Sequence, residues 1–151
     1  MVIALLLLLA ASAPSALSAT FEESFRAGLL ALQRNDLPAA ATNLEAAAKL
    51  VPGNARVWVA LSQTYWKLKE NVKADSAAAK AEALAPRDPM VQSSLAIYYG
   101  ESGQALKSAN AQARYAALVP NDVSARERAE ALYFGAAQPL LPASDLQSHG
   151  H

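Results

Sequence analysis

Leu50-Val51-Pro52-Gly53-Asn54 returns as Leu84-Ala85-Pro86-Arg87-Asp88 and again as Leu118-Val119-Pro120-Asn121-Asp122, each copy 34 residues after the last. The same step links Tyr65, Tyr99 and Tyr133. It links Leu61 to Leu95, Ala47 to Ala81, and the small residues Gly28, Ser62 and Ala96, then Ala40, Ala74 and Ser108. So many residue types in one register identify an internal repeat, which outranks any local motif.

Within a unit the apolar spacing is helical. Val57, Leu61, Tyr65 and Leu68 form one stripe; Ala74, Ala77, Ala78, Ala81 and Leu84 form a second after an interruption at Asn71. Pro86 ends the second helix, because proline cannot continue a helix and biases Ala85 out of helical geometry. Asp88 suits the cap of the next helix and Pro89 its first turn, with Asn54 and Asp122 as equivalent caps. The pattern predicts helices over about 21–34 and 37–51, broken at Asn35-Asp36, and over 89–100 and 104–119, broken at Ser102-Gly103. Thr20-Phe21-Glu22-Glu23 reads as a capping box for the first helix. A last helix over about 123–137 carries an apolar stripe (Ala125, Ala129, Leu132, Tyr133, Ala136) and a charged face (Arg126, Glu127, Arg128, Glu130), as the end of a repeat stack requires. Residues 138–151 lack a pattern and read as a disordered tail.

Composition agrees. Of 151 residues 36 are alanine, the best helix former. Small residues let helices cross within about 8–10 Å, so Gly28, Ala40, Ala47, Ser62, Ala74, Ala81 and Ala96 are the expected crossings. Lys+Arg and Asp+Glu are both 13, so the basic excess of a nucleic-acid binder is missing. With no cysteine, disulfides, Cys-ligated zinc, iron–sulfur clusters, thiol nucleophiles and lipidated cysteines are excluded.

Residues 1–19 stand apart. The run from Val2 to Ala11 has the length of a signal-peptide core and is too short to span a membrane alone. Ala16 and Ser18 supply a small-x-small pattern, with cleavage expected after Ser18 or Ala19. No charged side chain precedes Glu22, so an uncleaved N-terminal anchor is the alternative. Export to the periplasm or secretion is the expected localisation, with a membrane-anchored form facing the periplasm as its variant.

A 34-residue helix–turn–helix unit closing on proline resembles the tetratricopeptide repeat. Trp58, Leu61, Ser62, Tyr65, Ala74, Ala81 and Pro86 carry the fullest match. Gly28, Ala40, Leu44, Ala47 and Pro52 carry the first unit; Leu95, Ala96, Tyr99 and Pro120 carry the third. The first unit departs at Ser24 and Ala31, and the third at Gln112 and Tyr115, which leaves the packing of that helix open. The resemblance implies an all-α solenoid spanning 20–137: repeats at about 21–54, 55–88 and 89–122, and a capping helix at 123–137.

No catalytic constellation is found: no phosphate loop, metal-spaced cluster or nucleophile beside a base. His149 and His151, the two histidines, sit in the tail and read as incidental rather than as metal ligands. Glu22/Arg26, Glu45/Lys49 and Arg126/Glu130 read as i,i+4 stabilisers of solvated faces. The expectation is therefore no enzyme, no cofactor and no metal.

What remains is binding. The resemblance implies a concave groove lined by the first helix of each pair. Its lining is Phe25, Leu29 and Gln33 in the first unit, flanked by Glu22 and Leu32. The second unit supplies Arg56, Val59, Gln63, Trp66 and Lys67. The third supplies Met90, Ser93 and Ile97, with Gly100 and Glu101 beyond. The apolar members lie off the packing stripe, and a partner surface is one reason for that; covering a neighbouring repeat is the other. With only Arg56 and Lys67 basic, the surface does not suit the carboxylate-holding, chaperone-tail subtype of the family. The expected function is an interaction module or adaptor binding a partner peptide segment in the groove, in the bacterial periplasm. The alternative is a self-associating scaffold, homodimeric through Trp66 and its neighbours or docked on the apolar N-terminal segment.

Overall fold

The computed structural model describes residues 16–137. The proposed export segment, for residues 1–15, and the tail at 138–151 lie outside the described residues. Seven helices follow in order: α1 Ala16–Gln33, α2 Leu37–Leu50, α3 Ala55–Lys67, α4 Asn71–Leu84, α5 Pro89–Glu101, α6 Ala105–Leu118 and α7 Val123–Ala137. The 34-residue step sets their boundaries: α2, α4 and α6 start and end in register, as do α3 and α5. The chain is an all-α solenoid of stacked antiparallel helix pairs.

Each pair is joined by a tight turn that needs one residue in the left-handed region. Asn35 (φ 58°), Lys69 (φ 64°) and Gly103 (φ 77°) fill that place, again 34 apart. Asparagine and glycine take the conformation readily, whereas lysine pays a steric cost there. Between pairs the proline turns are closed by caps. Asn54 accepts from the Arg56 N–H, Asp88 from those of Met90 and Val91, and Asp122 from that of Ala125. Such a cap contributes about 1 kcal/mol.

The proline turns share a second tie. Trp58 Nε1 donates to the Pro52 carbonyl at 2.8 Å, Gln92 Nε2 to Pro86 at 3.2 Å and Arg126 to Pro120 at 3.3 Å. Three different side chains in one register thus satisfy the same carbonyl. The opposite end of the Gln92 amide, Oε1, is buried without a partner.

The core is the two stripes. Leu44, Val57, Leu61, Val91 and Leu95 are fully buried, with Ala74, Ala77, Ala78 and Ala81 facing them. Each large aliphatic contributes about 1.5–3 kcal/mol of transfer free energy. The expected crossings are all buried: Ala40, Ala47, Ser62, Ala74, Ala81 and Ala96, with Gly28 against Leu44. The third pair keeps register despite its departures. Gln112 is buried and donates to the Ala125 carbonyl, while Ser108 Oγ donates to the Ala96 carbonyl at 2.7 Å.

Several expectations are corrected. α1 starts at Ala16, so the Thr20 capping box lies inside the helix; the preceding Ala-Leu-Ser-Ala residues favour continuing the turn. The i,i+4 pairs Glu22/Arg26, Glu45/Lys49 and Arg126/Glu130 are not the ion pairs that form. Glu45 instead accepts from Tyr65 at 2.7 Å. The ion pairs are Lys73–Glu70, Arg114–Glu82 and Arg128–Asp122. Leu84 ends its stripe exposed. On α7 Ala125 and Ala129 are buried; Leu132 and Tyr133 are 38% exposed, and Phe134 is 63% exposed. The reason is placement: α7 packs on α6 and makes no contact with α5, whereas α3 touches both α1 and α5.

Candidate functional site

The first helices of the pairs, α1, α3 and α5, lie side by side and form one face. A groove of about 260 Å³ opens on it. Phe25 and Leu29 of α1 form one wall, Arg56, Val59, Ala60 and Gln63 of α3 the centre, and Met90, Val91 and Ser94 of α5 the other wall. The lining is mostly hydrocarbon. Met90 is 54% exposed.

Of the expected site residues, Phe25, Leu29, Arg56, Val59, Gln63 and Met90 are brought together here. Gln33 and Lys67 are exposed at the C-terminal ends of α1 and α3, outside the lining, and Ser93 is half-buried beside it. Ile97 is exposed on the second half of α5. Trp66 differs most from expectation. It is half-buried against the core, with its ring edge-on to Tyr98 at 6.4 Å and Lys69 Nζ 5.5 Å from its centre. Trp66 and Tyr98 bridge α3 and α5, and the groove lining stops short of them, at Gln63 on α3 and Ser94 on α5.

Tyr98 is held in place by a polar cluster. Its hydroxyl donates to Asp75 Oδ1 at 2.7 Å, and Gln104 Nε2 donates to the same oxygen at 2.8 Å. Burial, then the bond to Asp75, pushes the Tyr98 phenol well above its ordinary value, and the Tyr98 bond holds the Asp75 carboxyl below its own. These titrating groups lie outside the lining, and no group of three potential metal ligands occurs among the described residues.

Ala60, Val91 and Ser94 are lining residues that sequence reasoning missed. Val91, one repeat after Val57, belongs to the packing stripe and is fully buried behind the groove. Ala60 and Ser94 are both small and one repeat apart, and that pairing was the available signal for a shared floor.

Residues 31–97 match the family model for the tetratricopeptide repeat. No curated protein matches. Among solved structures the chain is similar to the first TPR of Spaghetti (RPAP3) bound to an HSP90 peptide, at 17% identity and a TM-score of 0.66, covering 80% of this chain and 95% of that one. It is similar to the TPR2B domain of yeast Sti1 in its pHsp70 complex, at 23% identity and a TM-score of 0.65, covering 81% and 99%. A third is the Yersinia enterocolitica type III secretion chaperone SycD with a peptide of the translocator YopD, at 13% identity and a TM-score of 0.66, covering 82% and 97%. At these identities the likeness is one of fold.

Proposed function

We propose that this chain, a tetratricopeptide-repeat protein, is an adaptor that binds a segment of a partner protein in the groove across α1, α3 and α5. The observation that carries it is the open apolar lining: Phe25, Leu29, Val59 and Met90 face one hollow, Leu29 and Met90 exposed there and Phe25 and Val59 half-buried against the core behind them. Two of the similar structures hold peptides, of HSP90 and of YopD, and a third is a complex with pHsp70, which supports the same use of the face here. Binding needs no cofactor, and the module is non-enzymatic. Export is part of the proposal, resting on the apolar run Val2–Ala11 and the small residues after it. No helix among the described residues is long and apolar enough to cross a membrane.

Selection of displayed random peptides on the immobilised chain tests this. Enriched peptides are expected to carry bulky apolar residues and to lose binding to Met90→Asp and Leu29→Asp, both partly exposed positions where folding survives. Peptides indifferent to both variants, or no enrichment, would overturn it. Cell fractionation with intact-mass analysis tests export: a periplasmic species starting at Ala19 or Thr20 is expected, and a cytosolic full-length chain contradicts it. Phe134, 63% exposed on α7, favours the second reading, self-association, now through α7 rather than Trp66; a concentration-dependent dimer lost in Phe134→Asp would establish it.

A further inference from the structure

The sequence after α7 keeps the 34-residue register. Gln138 stands one repeat after Gln104, which precedes α6, and Leu140 one repeat after Leu106. Residues from Pro139 onward thus hold the sequence places of a further second helix, the partner that would make α7 part of a fourth pair. Two positions bar that helix. The N–H groups of Ala40, Ala74 and Ser108 donate the first backbone bonds of their helices, to the carbonyls of Asp36, Glu70 and Gln104. Pro142 falls on the same position and has no N–H to donate. The crossing residues Gly28, Ser62 and Ala96 are small and buried, whereas Glu130 falls on their position and is exposed. A carboxylate there keeps another helix from approaching α7 as closely as small residues allow.

α7 therefore borders a hollow that an earlier pair closes with its second helix. Ala48, Pro52, Leu61 and Tyr65 line a hollow of about 290 Å³ beside α3, and Lys80 of α4 lines it from the other side, its Nζ 3.8 Å from the centre of the Trp58 ring. Two repeats on, Ala116, Pro120, Ala129 and Tyr133, with Arg126 and Glu130, line a hollow of about 370 Å³ between α6 and α7. No described residue takes the place of Lys80 there; its register position falls on Ser148. Tyr65 and Tyr99 are buried, and Tyr133, at the same register position, is 38% exposed.

We infer that Leu140 and Leu141, the apolar pair between Pro139 and Pro142, fold back into this hollow, so that the chain covers its own last helix. Three physical points support the choice of occupant. The first is reach. Tyr133 and Ala129 lie about 6 Å and about 12 Å of helix before the end of α7 at Ala137. Leu140 and Leu141 follow Ala137 by up to about 10–14 Å of extended chain, enough to lie over both. The second is preorganisation: the flanking prolines fix two backbone angles, which lowers the cost of ordering the pair. The third is tethering. A segment joined by so short a link is present at about millimolar effective concentration, and a second copy or another protein must displace it. The face concerned belongs to α6 and α7 and is separate from the groove across α1, α3 and α5.

Paramagnetic relaxation in the full chain tests the inference. The sequence has no cysteine, so Ala143→Cys accepts a single nitroxide label. Ala129 and Ala131 stand near each other on α7, the first lining the hollow and the second exposed outside it. The label is expected to relax the methyl signals of Ala113, Ala116 and Ala129 several-fold faster than that of Ala131. Adding Leu140→Asp and Leu141→Asp to the labelled chain is expected to abolish the difference, with circular dichroism unchanged. Equal relaxation of Ala129 and Ala131 in the labelled chain overturns the inference, as does a difference that survives both aspartates. If the effect appears when the label and the observed methyls are on separate molecules, the occupant is a second copy and the assignment to the same chain fails.

Discussion

Replacing Gly28 by alanine and Gly135 by alanine makes one chemical change at two helical sites, and the two should move stability in opposite directions. A Cβ at Gly28 would lie 2.6 Å from Leu44 Cγ, 2.8 Å from Cδ2 and 3.2 Å from the Leu44 backbone nitrogen. Leu44 is fully buried, so it has no vacant space to turn into, and the backbone contact yields only if α1 and α2 separate. Overpacking of this kind costs about 1–3 kcal/mol. The helix gains about 1 kcal/mol from losing a glycine. The net expectation is a loss of about 1 kcal/mol. At Gly135 nothing lies within 4 Å of an added Cβ, so only the gain remains. The propensity gain is common to both, which leaves a difference of about 2 kcal/mol set by the crossing. At about 4 °C per kcal/mol for a domain of this size, the melting temperatures should differ by about 8 °C. Because stability in a repeat stack is partly local, hydrogen exchange in Gly28→Ala should accelerate first in α1 and α2. Equal melting temperatures for the two variants would refute the claim that Gly28 marks a helix crossing.

Lys69 holds a left-handed turn that Gly103 and Asn35 occupy in the other pairs; Lys69→Gly should therefore raise stability by up to about 1 kcal/mol in urea denaturation, and a loss would contradict the turn geometry. Trp58→Phe removes the N–H that reaches Pro52 and shrinks the indole to a phenyl ring, for an expected loss of at least about 0.5–1.5 kcal/mol by thermal melting. Alkali should destabilise the fold in a defined window. Burial raises the phenols of Tyr65, Tyr98 and Tyr99 above the ordinary value of 10.0, with Glu45 or Asp75 adding to the effect. The folded chain then holds protons that the unfolded chain releases, so the stabilisation is complete below pH 10 and falls as pH rises past it. Phenolate absorbance should rise together with unfolding, and full ionisation of the folded chain at pH 10 would contradict the burial.

Much of the architecture was legible because the repeat constrains it at every level. Pro52, Pro86 and Pro120 fixed where the second helices stop, and Asn54, Asp88 and Asp122 where the next ones start. The small residues marked the crossings, and all of them are buried. What escaped depended on neighbours that periodicity does not encode. Trp66 lies off the packing stripe in sequence, yet Tyr98, at a position where the other repeats carry leucine or threonine, offers its ring as a partner. α7 starts on the 34-residue grid but packs on α6 without lying alongside α5, so Leu132 and Tyr133 are less covered than Tyr98 and Tyr99 one repeat earlier. Ion pairs followed side-chain reach across elements, as in Arg114–Glu82, rather than i,i+4 spacing. Two thirds of the groove lining was legible, because the resemblance puts the first helices on one face and register then places Phe25, Leu29, Arg56, Val59, Gln63 and Met90 there.

The claim that the face across α1, α3 and α5 is the binding surface is tested most directly by methyl NMR of the full chain titrated with a display-selected peptide. The account predicts that shifts are confined to Leu29, Val59, Met90 and Val91. Shifts centred on Val72 or Leu106, both exposed on second helices, with the groove methyls unmoved, would contradict it.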